Sequence, residues 1–237
     1  MSLRNLKSFA AAMLVLALAV GPATAQAAPR AAASEQQELV NEARATFVHF
    51  RDDPNLTGFR EHEREARGFL IVPKAVRVGL VFGGSGGSAV LVARGKGGWN
   101  GPSFYTIGTG SFGLQLGVDV SEVVVLVMTQ RGMNSLLSAS LRHGLDASVA
   151  AGPVGVGAGR APGPTADFVY YSRSKGLYGG VSLHGAMIRP DADANAAYYG
   201  RPVSPREILV RGSLRNARAN ALLETVDADT LRVSARR

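Results

Sequence analysis

Four histidines, two glycine-rich motifs and one acidic run are the residues of this 237-residue chain whose types could do chemistry. His49, His62, His143 and His184 show no metal-ligand spacing to one another, and there is no cysteine to complete a zinc site or form a disulfide. Gly83-Gly84-Ser85-Gly86-Gly87 matches the G-x-S-x-G of a serine hydrolase elbow. That elbow needs a helix after the serine, whereas Ser88-Ala89-Val90-Leu91-Val92 reads as a strand, so the motif is expected to be a hairpin turn. Gly108-Thr109-Gly110-Ser111-Phe112-Gly113 matches G-x-G-x-x-G, yet strand-like residues follow where a dinucleotide site needs a helix. Asp191, Asp193 and Asn195 imitate the start of a calcium loop, but Ala196 stands at the obligatory glycine and Pro202 at the bidentate glutamate. A helix start with acids near its positive end fits them better. No nucleophile can be joined to a base and an orienting acid, so the chain is expected to be no enzyme and to use no cofactor or metal.

The charges are more informative. The formal net charge is +8, and residues 66–118 hold no Asp or Glu while Arg67, Lys74, Arg77, Arg94 and Lys96 all fall inside. Such a stretch gives one region a positive potential that attracts anions, with a solvated basic surface lacking any partner as the plain alternative. Arg94 and Lys96 are two apart in an extended segment and so point to one side, and Arg173 and Lys175 repeat the spacing in "SRSKG". Between the first pair and the next proline lies "RGKGGWNGP", which holds the only tryptophan, Trp99. Trp99 has two readings. It plugs the sheet's end as core, the common fate of a large aromatic, or it sits at lipid headgroup level while Arg94 and Lys96 meet phosphates.

The elements that must position these cations follow from periodicity. Ser34 and Gln37 form a capping box before Leu39, Val40, Ala43, Phe47 and Phe50 at helical spacing, and Asp53-Pro54 ends the helix. A weaker helix covers about 56–67; both helices pack on the domain or lie on a membrane surface. From Gly68 the chain turns to short β-rich runs ending at Gly, Pro or Ser, and its 29 glycines exceed the usual share of about 7%. These runs predict an α+β fold: a mainly antiparallel, strongly curved or barrel-like glycine-rich sheet over 68–190, flanked by N- and C-terminal helices. Short helices are expected after Thr129, at 191–200, after the cap Ser204-Pro205-Arg206-Glu207, and over about 216–225.

The first residues read as a secretory signal peptide. Arg4 and Lys7 precede an apolar run of about a dozen residues, too short to span a bilayer, and Ala23-Thr24-Ala25 supplies the small-residue cleavage site. Cleavage after Ala25, with Ala27 or Ala28 as alternatives, leaves a linker at 26–33, one domain at 34–225 and a basic tail at 226–237. Export then implies the periplasm or cell envelope, and the lack of cysteine excludes a lipid-modified N-terminal cysteine.

Taken in order, "P-K" at 73–74, "RGKGGW" at 94–99, "PSFY" at 102–105, "ASVAAGPVG" at 147–155, "YSRSKGLYGG" at 171–180 and "YYG" at 198–200 resemble the SYLF domain family over nearly the whole of 34–225. Eukaryotic members of that family bind phosphoinositides and other acidic lipids, some coupling this to actin, and bacterial members are exported. The resemblance implies a lipid-binding module at the membrane periphery; with a signal peptide in front, actin coupling is not carried over. Its expected partners are anionic phospholipids or a membrane surface, met by Lys74, Arg77, Arg94, Lys96 and Trp99 with Arg173 and Lys175. An envelope protein is the alternative partner, and nucleic acid is not expected.

Overall fold

A computed structural model describes residues 27–79, 82–112, 117–138, 141–142, 148–151, 166–174, 177–178 and 186–234. The signal peptide assigned to 1–25, Gly113, His143, Lys175 and His184 lie outside the described residues.

The described residues open with α1 (Ala27–Asp52) and α2 (Thr57–Glu65). The expected start at Ser34 is therefore corrected: Ala27, Ala28 and the run Ala31 to Ala33 favour helix, and Pro29 falls in the first turn, where no amide donor is missed. The stretch assigned to a linker at 26–33 is mostly helix. Gln37 is not a cap; its amide donates to Asn41 Oδ1 at 3.1 Å and to the Arg218 carbonyl at 3.2 Å.

Four long strands follow: β1 (Gly68–Gly79), β2 (Phe82–Gly95), β3 (Gly98–Phe112) and β4 (Gly117–Val127). After α3 (Gln130–Leu136) come β5 (Leu141–Arg142), β6 (Val149–Ala151), β7 (Phe168–Ser174), β8 (Leu177–Tyr178) and β9 (Met187–Pro190), then α4 (Ala192–Tyr199). A π-helical turn (Glu207–Arg211), a 3-10 turn (Ala217–Ala219) and α5 (Asn220–Ser234) complete the order. The sheet runs β5-β9-β3-β2-β1-β4-β7-β6, with β8 on β7, and every pairing is antiparallel except β6 with β7. The mixed class and the antiparallel sheet are as expected, but among the described residues the sheet does not close. The last helix runs well past Thr225, so much of the expected tail at 226–237 is helical.

Both faces of the sheet are covered. Alternate residues of a strand point to opposite faces. Phe69, Ile71, Val90, Val92, Phe104, Val124 and Leu126 pack under α1, α2, α4 and α5 with Phe47, Phe59, Tyr198 and Leu222. Leu70, Val72, Leu91, Tyr105, Val123 and Val125 pack against Met133 and Leu136 of α3 and Ile208 and Leu209 of the π turn. Strands covered on both sides read as unbroken apolar runs such as "VVVLV" at 123–127.

The described residues of the glycine motifs lie inside strands. Gly83 to Gly87 belong to β2, Gly83 to Gly86 pairing with both β1 and β3 and Gly87 with β3, so the expected hairpin turn is corrected to strand. A Cβ on Gly87 would collide with the Lys74 carbonyl, where β1 bulges at Pro73-Lys74. Proline cannot donate to the ladder, and the bulge absorbs it. The calcium-like run is a helix start as expected: the Asp191 carboxylate accepts the Ala194 amide at 2.9 Å.

Candidate functional site

"RGKGGWNGP" is the β2–β3 hairpin. Gly95 pairs with Gly98 across a turn made of Lys96 and Gly97, Arg94 pairs with Trp99, and Ala93 with Asn100. Gly98 and Gly101 hold φ of 110° and 136°, conformations that side-chain-bearing residues rarely adopt. Trp99 is only 7% exposed and stacks on Phe69, ring centroids 4.8 Å apart and 20° from parallel. Its indole is core. The Arg94 guanidinium lies 4.8 Å above the same ring, and its Nε donates to the Ala66 carbonyl at 3.3 Å. The tryptophan thus braces the turn from within while Arg94 and Lys96 stay exposed. Arg67, whose carbonyl accepts the Arg94 amide at 2.8 Å, adds a third exposed cation at this end of the sheet.

The other candidates are elsewhere. Lys74 and Arg77 lie six and nine residues beyond Gly68, about 20 and 30 Å along the ribbon at ~3.3 Å per residue. Lys74 pairs with Glu42 of α1, whose hydrogen bond and charge raise its pKa above the usual lysine value. It projects into a cleft of about 430 Å³ whose lining includes Glu35, Glu38, Glu42, Asp191 and Tyr105, so its surroundings are acidic. Arg77 stands in register between Ser85 and Asp119 and is half-buried. Arg173 faces Glu122 on β4, with nitrogen and oxygen 3.9 Å apart; Glu122 also accepts from Thr46 Oγ1 at 3.1 Å and lies 3.0 Å from His49 Nδ1. The structure therefore does not bring the sequence-selected cations into one patch. It assigns Lys74 and Arg173 to ion pairs and leaves Arg94 and Lys96 together.

Sequence reasoning missed two polar centres. Asp167, fully buried, accepts from Arg131 Nη2 at 2.6 Å, Thr129 Oγ1 at 2.5 Å, and Ser148 N and Oγ at 3.0 and 2.9 Å. Burial pushes its carboxyl up, but these donors outweigh burial and hold it well below the usual carboxylate range. Asn195, also fully buried, accepts the Phe104 amide at 3.0 Å and donates to the Phe104 carbonyl at 3.1 Å, so its side chain pairs with β3 as a neighbouring strand would. Both are structural ties; the sequence signal of Asp167 is a carboxylate between Ala166 and Phe168, and that of Asn195 only its place in the calcium-like run. No group of three or more potential metal ligands occurs among the described residues.

The pattern of the family described as "Ysc84: Las17-binding protein actin regulator" matches residues 108–229. The chain belongs to the Ysc84 family. This bears out the SYLF resemblance. Among its Ysc84 relatives, LAS seventeen-binding protein 3 of Saccharomyces cerevisiae is 33% identical over 152 residues, 62% of this chain and 33% of its own length. SH3 domain-containing YSC84-like protein 1 of Homo sapiens is 29% identical over 170 residues, 70% of this chain and 49% of its own. An SH3 domain-containing protein of Schizosaccharomyces pombe is 29% identical over 165 residues, 67% of this chain and 38% of its own. The chain thus matches between a third and a half of each of these relatives.

Proposed function

We infer that this Ysc84-family chain is a non-enzymatic binding module that docks on anionic phospholipid headgroups, phosphoinositide-like in their clustered charge. In this reading it is exported to the periplasm or cell envelope and stays peripheral to the membrane. The observation that carries the reading is the β2–β3 end of the sheet. Arg67, Arg94 and Lys96 are exposed there, no carboxylate pairs with them among the described residues, and β1 to β3 contain no Asp or Glu. Each cation near an anionic bilayer contributes about 1 kcal/mol, so three supply roughly 3 kcal/mol before the loss of free motion is counted. That favours reversible, salt-sensitive recruitment.

Sedimentation of the purified protein with phosphatidylcholine vesicles, with and without phosphatidylglycerol, tests the reading. Binding is expected only with the anionic lipid and is expected to weaken as salt rises to about 0.15 M, where the screening length falls to ~8 Å. Equal retention on neutral vesicles, or none on anionic ones, overturns it. Export is tested separately: the protein recovered from a detergent-free envelope fraction should begin near Gln26, and an intact Met1 there refutes cleavage.

A second reading, an envelope scaffold with a protein partner, is favoured by the family description, which names binding to a protein. The acidic cleft beside Lys74 suits a basic segment of such a partner. Crosslinking in the intact envelope distinguishes the two, a single captured protein without vesicle binding supporting the scaffold.

A further inference from the structure

The basic hairpin is tied through Asn100 to the turn that carries Leu209. Residues 207–211 form a π-helical turn, which takes about one residue more per turn than an α-helix and is an uncommon element often found at functional sites. The wider turn sorts its residues sharply. Ile208 and Leu209 are buried against the sheet, whereas Arg206, Val210 and Arg211 are exposed on the outer side. Val210 is 54% exposed, the most exposed large apolar side chain among the described residues. The one carboxylate of the turn, Glu207, is paired with Arg201 at 2.5 Å, and residues 208–223 contain no acid.

Asn100 joins this turn to the hairpin. Its Nδ2 donates to the Leu209 carbonyl at 3.1 Å, and its side chain fills the space in front of both Gly95 and Gly212. Lys96, next to Gly95, therefore adjoins the segment that carries Val210 and Arg211.

We propose that the outer face of the π turn, Arg206, Val210 and Arg211 with Lys96 beside it, is the surface that seats on an anionic bilayer, Val210 entering the headgroup boundary between flanking cations. The inference rests on the lipid reading above and deepens it by naming the surface. Charge complementarity selects an anionic partner, because this surface carries arginine and lysine with its only acid already paired. The valine selects a bilayer over a soluble anion. A free phosphate gains nothing from an exposed aliphatic side chain, whereas an interface rewards burying one among cations. The packed base of Ile208 and Leu209 holds the turn in place before binding, so little ordering is needed on contact.

The test compares the wild-type protein with Arg206→Glu/Arg211→Glu and with Val210→Ser. The readouts are sedimentation with phosphatidylcholine vesicles containing phosphatidylglycerol, and binding of inositol hexakisphosphate as a soluble polyanion. All three side chains are exposed, and thermal melting of each variant confirms that it folds. The double variant is expected to lose vesicle affinity at least about tenfold, since each cation near the surface is worth roughly a fivefold change. Val210→Ser is expected to weaken vesicle binding several-fold, about threefold or more, and to leave inositol hexakisphosphate binding unchanged. Wild-type binding with neither variant impaired overturns this surface while the lipid reading stands. Loss in the double variant alone overturns the insertion of Val210. Failure of the wild type to bind anionic vesicles refutes the lipid reading itself, and this surface with it.

Discussion

Replacing Trp99 tests whether the hairpin's aromatic is brace or membrane contact. The indole is 93% buried by its 7% exposure, stacked on Phe69 and capped by Arg94. A buried tryptophan removes about 150–250 Å² from water, worth roughly 4–6 kcal/mol at 25 cal/mol per Å². Trp99→Ala is therefore expected to cost about 3–5 kcal/mol, part being recovered by local collapse. For a domain of this size that lowers Tm by about 6–20 °C. Trp99→Phe sharpens the test, because Nε1 is buried with no hydrogen-bond partner among the described residues. Phenylalanine keeps a ring on Phe69 and sheds a donor whose burial costs about 1–3 kcal/mol, so its loss is expected to stay below about 2 kcal/mol. Calorimetric or dichroism melts of both variants, beside vesicle sedimentation of Trp99→Phe, provide the assay. An unchanged Tm for Trp99→Ala, or vesicle binding lost in a fully stable Trp99→Phe, refutes the brace.

Three further outcomes are expected. Asp167→Asn should lower stability at neutral pH by about 1–3 kcal/mol through weaker charged hydrogen bonds. Because the folded pKa of Asp167 lies below its unfolded value, this contribution is complete above about pH 4 and declines as pH falls below it, so wild-type and variant melts should converge in acid; a gap that widens in acid refutes the assignment. Gly212→Ala should cost about 1–3 kcal/mol, since φ is 59° and its Cβ would meet the Asn100 side chain at 2.8–3.0 Å, and an unperturbed melt shows that the turn has a different seat. Asn195→Ala should destabilise by about 2–4 kcal/mol by stripping partners from Phe104 and Asp191, measured by urea unfolding, and a change under about 0.5 kcal/mol contradicts the tie.

The local signals were read well where chemistry is local. Asp53-Pro54 ends α1, Thr129 caps α3 through the Gly132 amide, Asp191 caps α4, and β1, β2 and β9 end at Gly79, Gly95 and Pro190. Family membership was also legible, because ordered short motifs survive when isolated glycine patterns mean nothing. Of the two expected shapes, strongly curved or barrel-like, closure is not found among the described residues, and the unbroken "FLIV" and "VVVLV" runs mark strands buried on both faces.

By itself the sequence determined where most helices and strands fall, that the centre of the chain carries cations without acids, and that no catalytic set is spelled out by spacing. Which cations remain available was decided only in three dimensions. The bulge at Pro73 aims Lys74 at Glu42, thirty-two positions earlier, and β4–β7 pairing sets Arg173 against Glu122. Asn100 ties the hairpin that carries Lys96 to the turn that carries Val210 and Arg211, more than a hundred positions later. Charge at a surface is a sum over neighbours, and strand register and helix packing choose those neighbours from opposite ends of the chain.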